Sequence, residues 1–191
     1  LSMGTSYYAA LLGRYIIETC TDIAVEVDLA SEFRYRKLNM KEGTTVLAIS
    51  QSGETADTLA AVQEAKRKGA LVLGLVNVVG SSLARETDAG VYNHAGPEIG
   101  VASTKAFISQ LTILYLMTLA LARHQQMSLS EGQAFIAGLK LIPDKIRRIL
   151  DGASKIEAIA RRYHGYKNFL YLGRKFNYPI ALEGALKLKE I

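Results

Sequence analysis

Two near-continuous apolar runs, Thr44-Thr45-Val46-Leu47-Ala48-Ile49-Ser50 and Ala70-Leu71-Val72-Leu73-Gly74-Leu75-Val76-Asn77, flank a helical stretch from about Thr55 to Lys68. A strand that is apolar on both sides must be buried on both, and a helix crossing between two such strands makes them parallel neighbours. Gly69 ends the helix as a C-cap glycine does. Ser81-Ser82 with Glu86 opens a short helix, Gly90-Val91-Tyr92-Asn93 gives a further strand, and Ser103 to about Gln125 is a long apolar helix. The expected fold is α/β, a three-layer α-β-α sandwich with a mostly parallel sheet.

From Leu129 to Arg162 the pattern is helical, broken near Pro143 and again at Asp151-Gly152. Asn168-Phe169-Leu170-Tyr171-Leu172 then restarts the strand reading, Gly173 to Tyr178 reads as a loop, and Pro179 suits the first turn of a helix. The expected division is one domain over residues 1–164 with its trailing helices, and the beginning of a second α/β unit over 165–191. At the other end, Gly4-Thr5-Ser6 opens a helix with almost nothing of a strand before it, so both ends read as cut.

The chain has 191 residues, 49 % hydrophobic and 21 % charged, which supplies a core and excludes a disordered polymer. Its net charge of +5 comes from clusters such as Arg34 to Lys37, Lys66 to Lys68 and Arg161-Arg162. These lie on or beside helical patterns and read as solvated helix faces, so no nucleic-acid partner is expected. Cys20 is the only cysteine, which rules out an internal disulfide and fits a reducing, cytoplasmic compartment. The apolar stretch from Ala106 to Ala122 carries Ser109, Gln110, Thr112 and Thr118 and falls short of the ~20 apolar residues of a span, so a buried or interface helix is expected and no membrane partner. Leu1-Ser2-Met3-Gly4 has no basic region or cleavage pattern, so no signal peptide is expected.

The most specific local signal is Ser50-Gln51-Ser52-Gly53-Glu54-Thr55, placed where a buried strand ends and a helix begins. A phosphate there meets unpaired backbone N–H groups and the positive end of the helix dipole, and the hydroxyls of Ser50, Ser52 and Thr55 donate further bonds. No lysine follows as in a nucleotide P-loop and there is no Gly-x-Gly-x-x-Gly, so a sugar monophosphate fits better than a nucleotide. The same residues also describe a plain helix cap with turn-forming serines. Two similar turns, Gly4-Thr5-Ser6 and Gly100-Val101-Ala102-Ser103-Thr104, start other helices. In a doubly wound sheet all three gather at the carboxyl ends of the strands, where ligands bind.

Glu183, Lys187 and Glu190 are spaced i, i+4, i+7 on the last helix and share one face. Moving a proton between adjacent sugar carbons requires one positioned carboxylate, for which Glu190 or Glu183 is available, and Lys187 reaches both. From spacing alone, an exposed Glu–Lys–Glu ladder is the favoured alternative. His94, His124 and His164 share no motif with a nucleophile or with one another, so neither a triad nor a metal site is indicated.

Four blocks then stand together: Ser50 to Thr58, Ala30 to Arg36, Glu98 to Lys105 and Ala181 to Ile191. In this order they resemble the sugar isomerase (SIS) half of the glutamine–fructose-6-phosphate aminotransferases, the glucosamine-6-phosphate synthases, across essentially the whole chain. The resemblance implies a flavodoxin- or Rossmann-like SIS fold and an isomerase portion that handles fructose 6-phosphate and glucosamine 6-phosphate on the way to UDP-N-acetylglucosamine. It implies no metal or organic cofactor, a glutaminase domain elsewhere in the full-length protein, and a homodimer. By resemblance Ser50, Gln51, Ser52 and Thr55 surround the sugar phosphate, Thr5, Ser6 and Val101 lie beside the sugar, Glu190 shuttles the proton between C1 and C2, and Glu183 and Lys187 are its neighbours.

Met3 stands where the family usually has Cys. The glutaminase domain, the ring-opening histidine and the C-terminal Schiff-base lysine of the family have no counterpart in these residues, so the chain reads as a fragment incomplete for catalysis. Two alternatives remain: a non-catalytic SIS module that senses a sugar phosphate, and an isomerase of another sugar phosphate such as arabinose 5-phosphate.

Overall fold

The computed structural model describes residues 1–37, 40–100 and 102–191. In chain order the elements are α1 (Gly4–Cys20), α2 (Ala30–Phe33), β1 (Thr45–Ser50), α3 (Ala56–Arg67), β2 (Leu71–Val76), α4 (Ser82–Glu86), β3 (Ala89–Tyr92), α5 (Lys105–His124), α6 (Leu129–Lys140), α7 (Ile142–Asp151), α8 (Ala153–Tyr163) and α9 (Asn177–Glu190). The two apolar runs become β1 and β2, paired in parallel with Thr45 opposite Leu71 and Ser50 opposite Val76, and β3 joins the far side of β2 in parallel. The residues before α1 complete the near side: the Ile49 N–H donates to the Leu1 carbonyl at 2.9 Å, and Ser2 bridges in parallel to Leu29.

The period-two alternation of a strand divides the apolar side chains between two cores. Val46 and Ala48 of β1 and Val72 and Val76 of β2 pack with Ala61, Val62 and Ala65 of α3, Leu83 of α4 and Phe33 of α2. Ile49 and Leu75 face the other way, onto Ala9 and Ala10 of α1 and Phe107 and Leu114 of α5. Helices thus cover both faces, the three-layer arrangement that two doubly apolar strands require.

The 20-residue α5 is long and apolar enough to cross a membrane by length and composition alone. In the fold it packs along α1, burying Phe107, Gln110, Leu114 and Thr118, with the Leu114 side chain seated against Gly13, where a Cβ would lie 3.0 Å from it. Ser128 and Glu131 form a capping box that starts α6, Pro143 stands in the first turn of α7, and Gly152 separates α7 from α8. Neither α7 nor α8 buries a residue, and Ile149, Leu150, Ile156 and Ile159 are exposed.

The segment 168–172 departs from the sequence expectation, since no strand pairs with it among the described residues and Leu170 and Leu172 are 85 % and 81 % exposed. Its apolar residues give it the propensity of a strand, but a strand exists only when a second one supplies its hydrogen bonds. After it, α9 returns to pack on α1, where the Phe176 ring meets Tyr15 edge-on with centroids 6.0 Å apart.

Candidate functional site

The carboxyl end of β1 opens into a cleft of about 210 Å³. Three hydroxyl-bearing segments converge there: Thr5 and Ser6 from the start of α1, Ser50 to Ser52 with Thr55 from the β1–α3 turn, and Ser103 from the segment before α5. Val101 lies outside the described residues. Met3, Ile49, Thr58 and Gln110 complete the lining.

The β1–α3 turn is locked by its own serines. Ser50 Oγ accepts from the Gly53 N–H at 3.0 Å, and Ser52 Oγ accepts from the Glu54 N–H at 3.2 Å. These two N–H groups are therefore already satisfied, whereas the sequence suggests that they remain free for an anion. Because each serine uses a lone pair on the backbone, its O–H stays free to donate. Gly53 adopts φ +67°, and a Cβ there would fall 2.1 Å from Ser81 Oγ. The Gly53 carbonyl accepts from the Leu83 N–H at 2.9 Å and Glu54 Oε1 accepts from the Ser82 N–H at 2.8 Å, which ties the turn to the start of α4. The Ser82 N–H, followed by the Ser82 hydroxyl and Arg85, holds the Glu54 carboxyl below the usual carboxylate range. Thr55 makes no side-chain cap on α3, so the positive end of that helix has no hydroxyl of its own against its first N–H groups.

At the start of α5 a carboxylate of the chain itself occupies the helix N-terminus. Glu98 Oε2 accepts from the Ala106 N–H at 3.0 Å, the Thr104 N–H at 3.3 Å and the Ser103 hydroxyl at 3.2 Å. These bonds, that of Ala106 foremost, keep the Glu98 carboxyl below its ordinary range. The loop leading to it is clamped by the Asn77 amide, which donates to the Gly96 carbonyl at 2.8 Å and accepts from the Ala95 N–H at 2.7 Å.

The face of α9 meets the cleft at one residue. Thr5 donates to Glu183 Oε1 at 3.1 Å and accepts from Lys187 Nζ at 2.9 Å, while Lys187 Nζ also lies 3.1 Å from Glu183 and 3.5 Å from Glu190. Glu183 is 6 % exposed, so the exposed-ladder reading fails for it; Glu190, in the last turn, is exposed. Sequence reasoning passed over Glu98 as a cap, Thr58, and Gln110 as a lining residue. Gln110 left a signal, the one carboxamide in a largely apolar helix, whereas the reach of Glu98 across a loop left none.

The SIS domain family matches residues 1–120. The chain belongs to the SIS domain family. It is 53 % identical over 188 residues to the glutamine–fructose-6-phosphate aminotransferase (isomerizing) of Chlorobaculum tepidum, covering 98 % of this chain and 31 % of that protein. Identity to the protein of the same name from Thermotoga maritima is 47 % over 191 residues, covering 100 % of this chain and 32 % of the relative. The SIS chain thus spans about a third of the length of the curated relatives it matches. Among solved structures it superposes on the C-terminal domain of glucosamine-fructose-6-phosphate aminotransferase from Francisella tularensis with a TM-score of 0.96 at 40 % identity, covering all of this chain and 54 % of the other. The α/β fold with its parallel sheet is therefore the SIS fold, and the cleft at the end of β1 is a feature of an SIS domain.

Proposed function

We propose that this chain is the isomerase portion of a glutamine–fructose-6-phosphate aminotransferase, binding fructose 6-phosphate and contributing to its conversion to glucosamine 6-phosphate with ammonia derived from glutamine. The observation that carries this reading is Thr5, which lines the cleft and is hydrogen-bonded to both Glu183 and Lys187. One residue thus joins a hydroxyl-lined cleft to a carboxylate–ammonium cluster.

In this reading the phosphate lies against the Ser50–Thr55 turn and the uncapped start of α3, where free hydroxyls and the helix dipole favour a dianion. The sugar runs past Thr5 and Ser6 toward α9. Glu190 takes a proton from one of C1 and C2 and returns it to the other, with the Lys187 ammonium 3.5 Å from its carboxylate. Residues 1–164 form the first SIS domain and 165–191 begin a second, with the glutaminase domain as partner and a cytoplasmic homodimer as the working unit. A sensor of sugar phosphates needs the turn alone, so the Glu183–Lys187–Glu190 cluster favours the enzyme.

The test has two arms. Calorimetric titration of the chain should give tighter binding of fructose 6-phosphate and glucosamine 6-phosphate than of inorganic phosphate. In the full-length protein, Glu190→Gln should keep sugar-phosphate binding and abolish isomerisation; unchanged turnover would remove Glu190 from its role.

A further inference from the structure

Gln110 is 1 % exposed and Ser6 7 % exposed, yet both line the cleft. The Gln110 side-chain amide donates through Nε2 to Ser6 Oγ at 2.9 Å, and its Oε1 is buried with no hydrogen-bond partner. A buried carbonyl oxygen without a partner destabilises a fold, and an apolar side chain of the same shape would remove that cost. The amide is therefore poorly explained by packing.

Its effect on Ser6 supplies another reason. A serine hydroxyl has one proton and two lone pairs, and a donor that occupies a lone pair at a fixed position turns the proton elsewhere. With Gln110 behind it, Ser6 directs its O–H away from α5. We propose that Gln110 is a positioning residue, fixing the Ser6 hydroxyl as a hydrogen-bond donor to a sugar oxygen of the ligand. This rests on the reading of the cleft as a sugar-phosphate site. Thr5, next to Ser6, has its own proton committed to Glu183, so Ser6 is the hydroxyl at the start of α1 that remains available to donate.

The proposal orders three side chains by hydrogen-bond polarity rather than by size. Gln110→Met keeps the shape and lets the Ser6 hydroxyl rotate. Gln110→Glu replaces the donor with an acceptor that captures the Ser6 proton. Calorimetry of the full chain with fructose 6-phosphate should show affinity falling about tenfold in Gln110→Met and further in Gln110→Glu, with inorganic phosphate bound equally by the native chain and Gln110→Met. The ligand-free thermal midpoint of Gln110→Met should equal or exceed the native value, the reverse of what a packing role gives.

Unchanged fructose 6-phosphate affinity in Gln110→Met overturns the proposal. So does a parallel loss of both ligands, or a loss of affinity accompanied by a lower midpoint. Should the native chain itself show no preference for fructose 6-phosphate over phosphate, the sugar-phosphate reading fails and this inference falls with it.

Discussion

At the β1–α3 turn the proposed function sets some residues against a phosphate, and others shape the backbone alone. Ser52 and Thr55 belong to the first kind, and Ser52→Ala or Thr55→Val should weaken phosphate binding by about 1–3 kcal/mol, the scale of a charge-assisted hydrogen bond. Titration with inorganic phosphate checks this, and affinity equal to native would reduce the turn to a helix cap. Gly53 belongs to the second kind. Its φ of +67° disfavours any side chain, and a Cβ would run into Ser81 Oγ and, at 2.9 Å, Val76 Cγ1. Gly53→Ala should cost about 2 kcal/mol or more in a denaturation measurement, because either the turn or α4 has to move. The glycine stands inside the turn marked by the sequence, but nothing local shows that the hydroxyl of Ser81 closes the space beside it.

At the scale of elements, the sequence places strands and helices well where local pattern and tertiary burial agree. The strand read over Thr44 to Ser50 is found as Thr45–Ser50, and the helix read over Thr55 to Lys68 as Ala56–Arg67. It overreaches at 168–172, where the pattern is present and no strand pairs with it among the described residues. The start of α5 hides a different kind of information, since Glu98 caps it from across a loop. The Glu98 carboxyl has a lower pKa in the folded chain than in the unfolded one, so its contribution is fully present above the ordinary range near ~4.3 and is lost as pH falls through the folded value. Glu98→Gln should therefore be less stable than native at neutral pH, with the gap closing toward strong acid. Denaturation curves taken across that range decide it: a gap independent of pH would mean that the charge contributes nothing to the cap.

For the whole molecule, stability is concentrated where apolar residues are buried on two sides. β1 and β2 lie between two cores, whereas α7 and α8 bury no residue and present isoleucine and leucine to solvent. Amide hydrogen exchange should be slowest in β1 and β2 and fastest among the helices in α7 and α8, since opening the latter exposes little new apolar surface. Equal protection of all helices would show that these two are covered in solution, as assembly of the chain with itself would cover them.

The sequence by itself determined the layered α/β form, because two runs apolar on both faces leave a parallel sheet between helices as the arrangement that buries them. It also marked the hydroxyl-rich turns and the Glu183–Lys187–Glu190 spacing, which are local in the chain. Tertiary structure alone decided that Thr5 joins the cleft to Glu183 and Lys187 and that Gln110 reaches Ser6. Periodicity reports which side of an element is buried, whereas a hydrogen bond between residues a hundred or more positions apart depends on how the packed layers bring those sides together.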